Sequence, residues 1–177
     1  MRILIVGGGN IAHEKLVHLL DFTHDIDIIT QECSESMREV VEQHAIVCEL
    51  RPYKEGDIDG YGIVIVAVDD IGLQEQIYRE SKRYDCLCNA VDSIDYCDFI
   101  FPSYIKKGDL TIAVSTSGAS PAMAKHLRIF LEKLIPESIT EFLIQMRLLR
   151  KRFPKGKERM KMLDAKAKEY IESWSKR

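Results

Sequence analysis

The chain has 177 residues, of which 46% are apolar and 30% are charged, and its formal net charge is −3. This is the length of one ordinary domain with an extension, and the apolar content is enough for a core, which excludes a disordered chain. No apolar run approaches the roughly 18 residues of a membrane span, and the N-terminus lacks the features of a signal peptide, so we expect a cytoplasmic protein without a membrane partner.

The first half of the chain alternates between apolar runs and helical periodicity. The apolar runs predict five strands, at "RILIV", "DIDIIT", "AIVCEL", "YGIVIVAV" and "DCLCNAV". Helical patterns follow three of them, at "NIAHEKLVHLLDF", at "SESMREVVEQH" with Ser34 as the N-cap, and at "DDIGLQEQIYRESKRY". This order, with its short connections, predicts an α/β fold built on a Rossmann-type parallel sheet.

The pattern changes near Asp92. The stretch "DFIFPSYIKKGDLTIAVST" predicts two strands joined by a turn at "KKGD", and "SGASPAMAKHLRIFLEKL" predicts a helix with Ser120 as its N-cap and Pro121 at its first position. From Pro136 onward the sequence predicts helix with a break at "FPKG". We expect a Rossmann domain over residues 1–98, a small α+β dimerisation region over 99–135 and a C-terminal helical region over 136–177.

Charge is divided unevenly along the chain. Residues 147–177 hold twelve Lys/Arg and four Asp/Glu, whereas residues 1–146 hold thirteen and twenty-four. The basic segment has few aromatic residues, which favours a solvated basic helix over a nucleic-acid-binding tail. We therefore expect no nucleic-acid partner.

The number and spacing of the cysteines bear on whether the chain has disulfides or a metal site. The five cysteines are odd in number and form no CxxC pair, and "CLC" lies inside an apolar run. These features predict free thiols rather than a disulfide framework or a structural zinc site, so we expect no metal site.

Three glycines join the first predicted strand to the first predicted helix. The run Gly7-Gly8-Gly9-Asn10-Ile11-Ala12 fits the pattern G-x-G-x-x-A. Gly7 permits a tight turn, Gly9 lets a pyrophosphate approach the backbone, and Ala12 lets the helix pack close to the sheet. The helix N-terminus adds unpaired N–H groups and a partial positive charge. We expect a dinucleotide site here, and the alternative is a plain glycine turn.

Polar residues follow the second and fourth predicted strands. Glu32 stands slightly after the place where a ribose-binding acid sits, and Gln31 before it is neutral, so the ribose contact is left open. No Arg follows directly to hold a 2′-phosphate, which favours NAD over NADP. Asp69 and Asp70 end the fourth strand, where they either bind the nucleotide or cap the next helix. The expected cofactor contacts are Gly7, Gly9, Asn10, Ile11, Ala12, Glu32, Val68 and Asp69.

Two further segments offer polar groups. Asn89 and Asp92 follow the fifth strand and would emerge at the same edge of the sheet, although a lone Asp there is more often a turn residue. The loop "STSGASP" precedes a predicted helix, and it is either an anion-binding loop or a capping turn rich in Ser and Thr. Lys125 and Arg128 are near it in sequence.

Four stretches, "IVGGGNIAHEKLVHLL", "VAVDD", "NAVDSIDYCDFIFPS" and "AVSTSGASPAMAKHLR", resemble in order and spacing the siroheme synthase N-terminal family. This family comprises precorrin-2 dehydrogenases and bifunctional precorrin-2 dehydrogenase/sirohydrochlorin ferrochelatases. The resemblance implies oxidation of precorrin-2 to sirohydrochlorin with NAD, and a homodimer built through the region after the Rossmann domain. It also implies that Asp92 matches the aspartate tied to catalysis, and that Thr116 matches a serine reported as phosphorylated in the fused synthase.

The substrate that the resemblance implies carries eight carboxylates, which basic side chains and helix N-termini suit. The expected substrate contacts are Asn89, Ser115, Thr116, Ser117, Gly118, Lys125 and Arg128.

The chain departs from the family pattern in three places. The family often has Thr where Val68 stands and Arg-Lys where Glu14 and Lys15 stand, and the C-terminal helical region is shorter than in the bifunctional enzymes. We therefore expect little ferrochelatase activity. The alternatives are a bifunctional enzyme that also inserts Fe²⁺ and a non-catalytic nucleotide-sensing Rossmann module, which would not need the "DFIFPS" and "STSGASP" segments.

Overall fold

A computed structural model describes residues 1–91 and 93–174. The chain forms two compact units, Met1–Ile100 and Phe101–Arg177. The division into three parts, with boundaries after residues 98 and 135, stays a prediction.

The first unit is a parallel five-stranded sheet with helices. Its strands are β1 (Ile3–Val6), β2 (Ile26–Thr30), β3 (Val47–Leu50), β4 (Ile63–Val66) and β5 (Leu87–Ala90), in the order β3-β2-β1-β4-β5. Its helices are α1 (Asn10–Leu20), α2 (Glu35–His44) and α3 (Ile71–Arg83), and a short 3₁₀ helix at Ile94–Tyr96, which the sequence did not predict, follows β5. The predicted Rossmann-type fold is confirmed.

Burial explains why these segments become strands. All four residues of β1 are buried, and Val64, Ile65 and Val66 of β4 are fully buried, as expected for central strands covered on both faces. The helices turn one face to this sheet, with Leu16 of α1 and Ile77 of α3 fully buried. The predicted cap of α2 is present, because the Ser34 side chain accepts a hydrogen bond from Met37 N at 3.3 Å.

The second unit joins a hairpin to three helices. The antiparallel strands are β6 (Ser103–Lys107) and β7 (Leu110–Val114), and the helices are α4 (Pro121–Leu134), α5 (Ile139–Arg152) and α6 (Lys157–Trp174). The prediction of a hairpin, of a helix beginning at Pro121 and of a break near residues 153–156 is confirmed. Within the second unit, Ile105, Ile135 and Ile139 form a small core.

The described residues lack three features: a helix that could cross a membrane, a cluster of side chains that could hold a metal ion, and a disulfide. None of the helices within residues 1–91 and 93–174 combines the length and the apolar character needed to cross a membrane. The same residues contain no group of three or more His, Cys, Asp or Glu side chains arranged to hold a metal ion. All five cysteines are free, with Cys86 and Cys88 buried.

Candidate functional site

The glycine loop at the carboxyl end of β1 is shaped by two close backbone approaches. Gly7 has φ +121°, and a Cβ there would lie 2.3 Å from the carbonyl oxygen of Ala67. A Cβ on Gly8 would lie 2.3 Å from the carbonyl oxygen of Glu32, so the middle glycine, which the motif leaves unspecified, is also required. A Cβ on Gly9 would meet no atom within 4 Å. The fold therefore needs the first two glycines, and the third leaves open space for a ligand.

The N-terminus of α1 begins at this loop without a side-chain cap. Gly9 is the N-cap residue, no described side chain hydrogen-bonds there, and the first turn carries no acid. By contrast, the side chains of Ser34, Asp70 and Ser120 cap α2, α3 and α4. The N–H groups at the start of α1 and the positive end of its dipole are therefore available to an anion.

Two cavities lie at the carboxyl edge of the sheet. The larger, of about 430 Å³, extends from the glycine loop to the residues after β2 and β3, and it includes Arg51 and Glu32. The smaller, of about 200 Å³, is lined by residues after β4 and β5 and by Ile11 of α1. Val68 and Asp69 line both cavities. The pair of cavities thus flanks the point between β1 and β4 where the strand order reverses, which is where open α/β sheets bind their ligands.

The segment after β2 is hydrogen-bonded to the glycine loop. Thr30 Oγ1 donates to the carbonyl oxygen of Glu32 at 2.6 Å, and Ser34 N donates to the carbonyl oxygen of Gly8 at 2.9 Å. The Glu32 side chain is exposed and lines the larger cavity. This position would allow Glu32 to contact a ribose, and that contact stays a prediction.

The two aspartates after β4 have different positions. Asp70 Oδ1 accepts a hydrogen bond from Leu73 N at 3.1 Å, which confirms the capping alternative for this residue. Asp69 lines both cavities, so it stays a candidate for ligand binding. The sequence could not separate the two, because adjacent acids suit either role.

Gln74 of α3 fixes the ends of two strands, and sequence reasoning missed it. Its side chain is 5% exposed, and its Nε2 donates to the carbonyl oxygen of Val68 at 2.7 Å and to that of Val91 at 3.4 Å. These bonds hold the ends of β4 and β5 beside the smaller cavity. A glutamine on an amphipathic helix gives no sequence signal for such a role.

Arg51 is the second residue that sequence reasoning missed. Its Nε donates to Glu49 at 2.6 Å, and its Nη1 and Nη2 donate to Asp57 at 2.6 and 3.0 Å. These hydrogen bonds, with Asp57 first and Glu49 second, raise the pKa of Arg51. Burial alone would raise the pKa of Asp57, but hydrogen bonds from Arg51 and from Lys54 N outweigh it and lower that pKa.

The end of β5 carries two of the predicted site residues. Asn89 is 6% exposed, and its Nδ2 donates to the carbonyl oxygen of Phe99 at 2.8 Å, so its amide serves a contact within the protein. Asp92, the predicted catalytic residue, lies outside the described residues. Its neighbours Val91 and Ser93 line the smaller cavity.

The "STSGASP" loop of the second unit makes its own hydrogen bonds. Ser115 Oγ accepts from Ser117 N at 3.1 Å, and Thr116 Oγ1 accepts from Ser120 N at 3.0 Å. Ser117 and Gly118 have φ of +50° and +83°. These bonds show the capping turn that was one of the two alternatives, and anion binding by the loop stays a prediction.

The two predicted basic contacts on α4 differ in their surroundings. Lys125 is exposed, whereas Arg128 Nη1 donates to Glu132 at 2.6 Å, one helical turn away on the same helix. The predicted role of both in substrate binding is untested.

Comparison with known proteins gives a family for this chain. Residues 1–103 match the family model described as "Putative NAD(P)-binding". The chain belongs to this NAD(P)-binding family. Residues 107–134 match a second model, "Sirohaem biosynthesis protein central". The predicted membership of the siroheme synthase N-terminal family is thereby confirmed.

Relatives of this family are similar along most of the chain. The siroheme synthase of Nitrosococcus oceani is 35% identical over 137 residues, which are 77% of this chain and 29% of that protein. The siroheme synthase of Pseudomonas fluorescens strain SBW25 is 36% identical over 137 residues, 77% of this chain and 30% of that protein. The chain thus spans about 30% of the length of these curated relatives.

A solved structure has the same fold. The protein titled "SirC, precorrin-2 dehydrogenase" aligns with a TM-score of 0.74 at 24% identity, and the alignment covers 99% of this chain and 94% of that one. The whole predicted architecture, with its α/β sheet, small hairpin region and helical extension, is therefore a known one.

Proposed function

We propose that the chain is an NAD-dependent precorrin-2 dehydrogenase, which oxidises precorrin-2 to sirohydrochlorin in sirohaem biosynthesis. The observation that carries this proposal is the uncapped N-terminus of α1 between two cavities, at the switch point of the sheet. The similarity to siroheme synthases and to a structure titled as a precorrin-2 dehydrogenase supports the choice of reaction.

The two cavities fit the two halves of a dinucleotide. The pyrophosphate would lie against Gly9 and Asn10, where the helix dipole and the open Cβ position favour an anion. The adenosine half would occupy the larger cavity and the nicotinamide half the smaller one. Glu32 would accept hydrogen bonds from the ribose hydroxyls and repel a 2′-phosphate, which supports NAD over NADP.

The reaction removes a hydride and a proton from precorrin-2. When bound against Gly9 and Asn10, NAD would supply the acceptor for the hydride that leaves a saturated carbon of the macrocycle. The protein orients the two reactants, and Asp92, which follows β5 in sequence, is proposed as the base that takes the proton. The carboxylates of precorrin-2 are proposed to bind the "STSGASP" loop, Lys125 and Arg128 of the second unit.

A second copy of the chain is the proposed partner of α4. The exposed face of this helix carries four large apolar side chains at spacings of three and four residues, each between 40% and 59% exposed: Met123, Leu127, Phe130 and Leu134. A continuous apolar helix face of this kind marks an interaction surface, and a two-fold dimer would cover it with its own equivalent.

The test is a direct assay with the purified chain, NAD and precorrin-2. We expect NADH and sirohydrochlorin to form in equal amounts, and Asp92→Asn to stop their formation while NAD still binds. Binding of NAD by the wild type without turnover would contradict the proposal and favour the nucleotide-sensing module.

A further inference from the structure

We propose that Arg51 is a specificity-determining residue, which Glu49 and Asp57 hold in a position where it cannot bind the 2′-phosphate of NADP. The inference rests on the proposed nucleotide site and adds to it a cationic group that the sequence did not point to. Arg51 lines the larger cavity together with Glu32. An arginine in this part of a Rossmann site is the group that accommodates a 2′-phosphate.

The guanidinium of Arg51 has little hydrogen-bonding capacity left. Four bonds are present, from Nε to Glu49, from Nη1 and Nη2 to the two carboxylate oxygens of Asp57, and from Nη1 to the carbonyl oxygen of Pro52 at 3.1 Å. A guanidinium has five N–H donors in a fixed planar fork. A phosphate could form a comparable two-bond contact only after the pair with Asp57 had broken.

The carboxylate of Asp57 is itself held in place. It accepts a hydrogen bond from Lys54 N at 2.7 Å, and the neighbouring Ile58 is fully buried in the core of the first unit. Hydrogen bonds to α3 fix the same segment, because Tyr53 Oη and Gly56 N donate to the fully buried Glu80 at 2.8 and 2.6 Å. Asp57 therefore cannot move away without disrupting these contacts.

The charges beside the cavity also disfavour a phosphate. Arg51 contributes one positive charge, which its two carboxylate partners more than offset, and Glu32 adds a further negative charge in the cavity lining. A phosphate monoester carries about −1.5 to −2 at neutral pH. The unphosphorylated ribose of NAD carries no such charge, so it avoids this repulsion.

The test compares NAD and NADP binding by calorimetry in the wild type and in variants that release Arg51. In the double variant Glu49→Gln/Asp57→Asn we expect the Kd ratio of NADP to NAD to fall at least tenfold. Adding Arg51→Ala to that variant should remove the gain. Glu55→Gln is the matched control. Glu55 lies in the same segment as Asp57 but pairs with Arg83 of α3 and does not line the cavity, so the ratio should not change.

Each outcome of this binding experiment either supports or overturns the role of Arg51. An unchanged ratio in the folded double variant would overturn the role of Arg51, as would a gain that persists in the triple variant. If the double variant does not fold, Glu49→Gln alone should still lower the ratio by a smaller factor, because it removes one negative charge and frees the Nε of Arg51 while the pair with Asp57 stays. No change there would overturn the inference. Failure of the wild type to bind either nucleotide would instead overturn the proposed function.

Discussion

The central strands of the first unit are covered on both faces, whereas all three helices of the second unit expose large apolar side chains. In the first unit the apolar side chains that are more than half exposed lie on the edge strand β3, at the N-terminus of the chain, at the first residues of helices and in connecting segments. In the second unit they lie on all three helices, and those of α4 fall on one face, at Met123, Phe130 and Leu134. The central strands thus form a core within the first unit, and the apolar face of α4 is the surface that we propose a second copy of the chain covers.

The largest expected effect is on the core of the first unit. Ile77→Ala removes a fully buried side chain of α3, and we expect it to lower the free energy of unfolding by about 2–5 kcal/mol. The loss should not depend on protein concentration, because the first unit packs against itself. Urea unfolding at two protein concentrations measures it, and Ile144→Ala, which truncates a half-exposed residue of α5, is the control with a small effect. A loss for Ile77→Ala that depends on protein concentration would contradict the claim that the first unit packs against itself.

The next effect separates binding from folding within the first unit. Gly9→Asp places a carboxylate in open space beside the proposed pyrophosphate position, and we expect NAD affinity to fall roughly a hundredfold, about 3 kcal/mol. The free energy of unfolding should change little. Gly8→Ala is the opposite case, because its Cβ meets the carbonyl oxygen of Glu32 and should destabilise the fold. Calorimetry with NAD and urea unfolding of both variants measure the two effects, and undiminished affinity in Gly9→Asp contradicts the proposed site.

The proposed dimer should weaken when a charge is placed on the apolar face of α4. Phe130 is 58% exposed, and Phe130→Asp should raise the dissociation constant of the dimer at least about thirtyfold, near 2 kcal/mol. Val17→Asp, on an exposed position of α1 in the first unit, is the matched helical control and should leave the dimer unchanged. Sedimentation velocity across a dilution series measures both, and a wild type that is monomeric at tens of micromolar would contradict the proposed dimer.

The smallest effect is on the acid stability of the first unit. Burial alone would raise the pKa of Asp98, but hydrogen bonds from Cys88 N and Lys82 outweigh it and lower that pKa. A carboxyl whose pKa is lower in the folded state than in the unfolded one stabilises the fold above about pH 4, its unfolded value, and this contribution is lost as the pH falls through the folded pKa. Asp98→Asn should therefore destabilise the protein at pH 7 and have progressively less effect toward pH 3 in urea unfolding. An equal loss at both pH values would contradict the ionic origin.

Much of the fold and part of the candidate site followed from local sequence patterns. The apolar run before Gly7, the open position at Gly9 and the cap at Ser34 were predictable, because strand burial, glycine turns and helix capping depend on residues close together in the chain. The predicted strand at "AIVCEL" was too long, since Ala45 ends α2 in the left-handed conformation with φ +52° and β3 begins only at Val47.

Other residues received their roles from neighbours distant in sequence. Nothing in the sequence around Arg51 or Gln74 indicates a place in the site. Arg51 reaches a cavity because parallel pairing brings the ends of separate strands to one edge, and Gln74 reaches one because α3 begins after β4 at that edge. Asn89 was predicted to emerge at the same edge of the sheet as a substrate contact, but its buried amide donates to the carbonyl oxygen of Phe99. Such contacts depend on which segments lie side by side, which no local pattern encodes.

By itself the sequence determined the strand–glycine–helix start, the parallel α/β order and the family resemblance, because these depend on periodicity and on motifs within short stretches. Only the tertiary structure decided that Gly8 is needed against Glu32, that Asp70 caps while Asp69 lines the cavities, and that carboxylates hold Arg51 beside the proposed ribose position. The physical reason is that close approaches, burial and ion pairs arise between groups that only folding brings together.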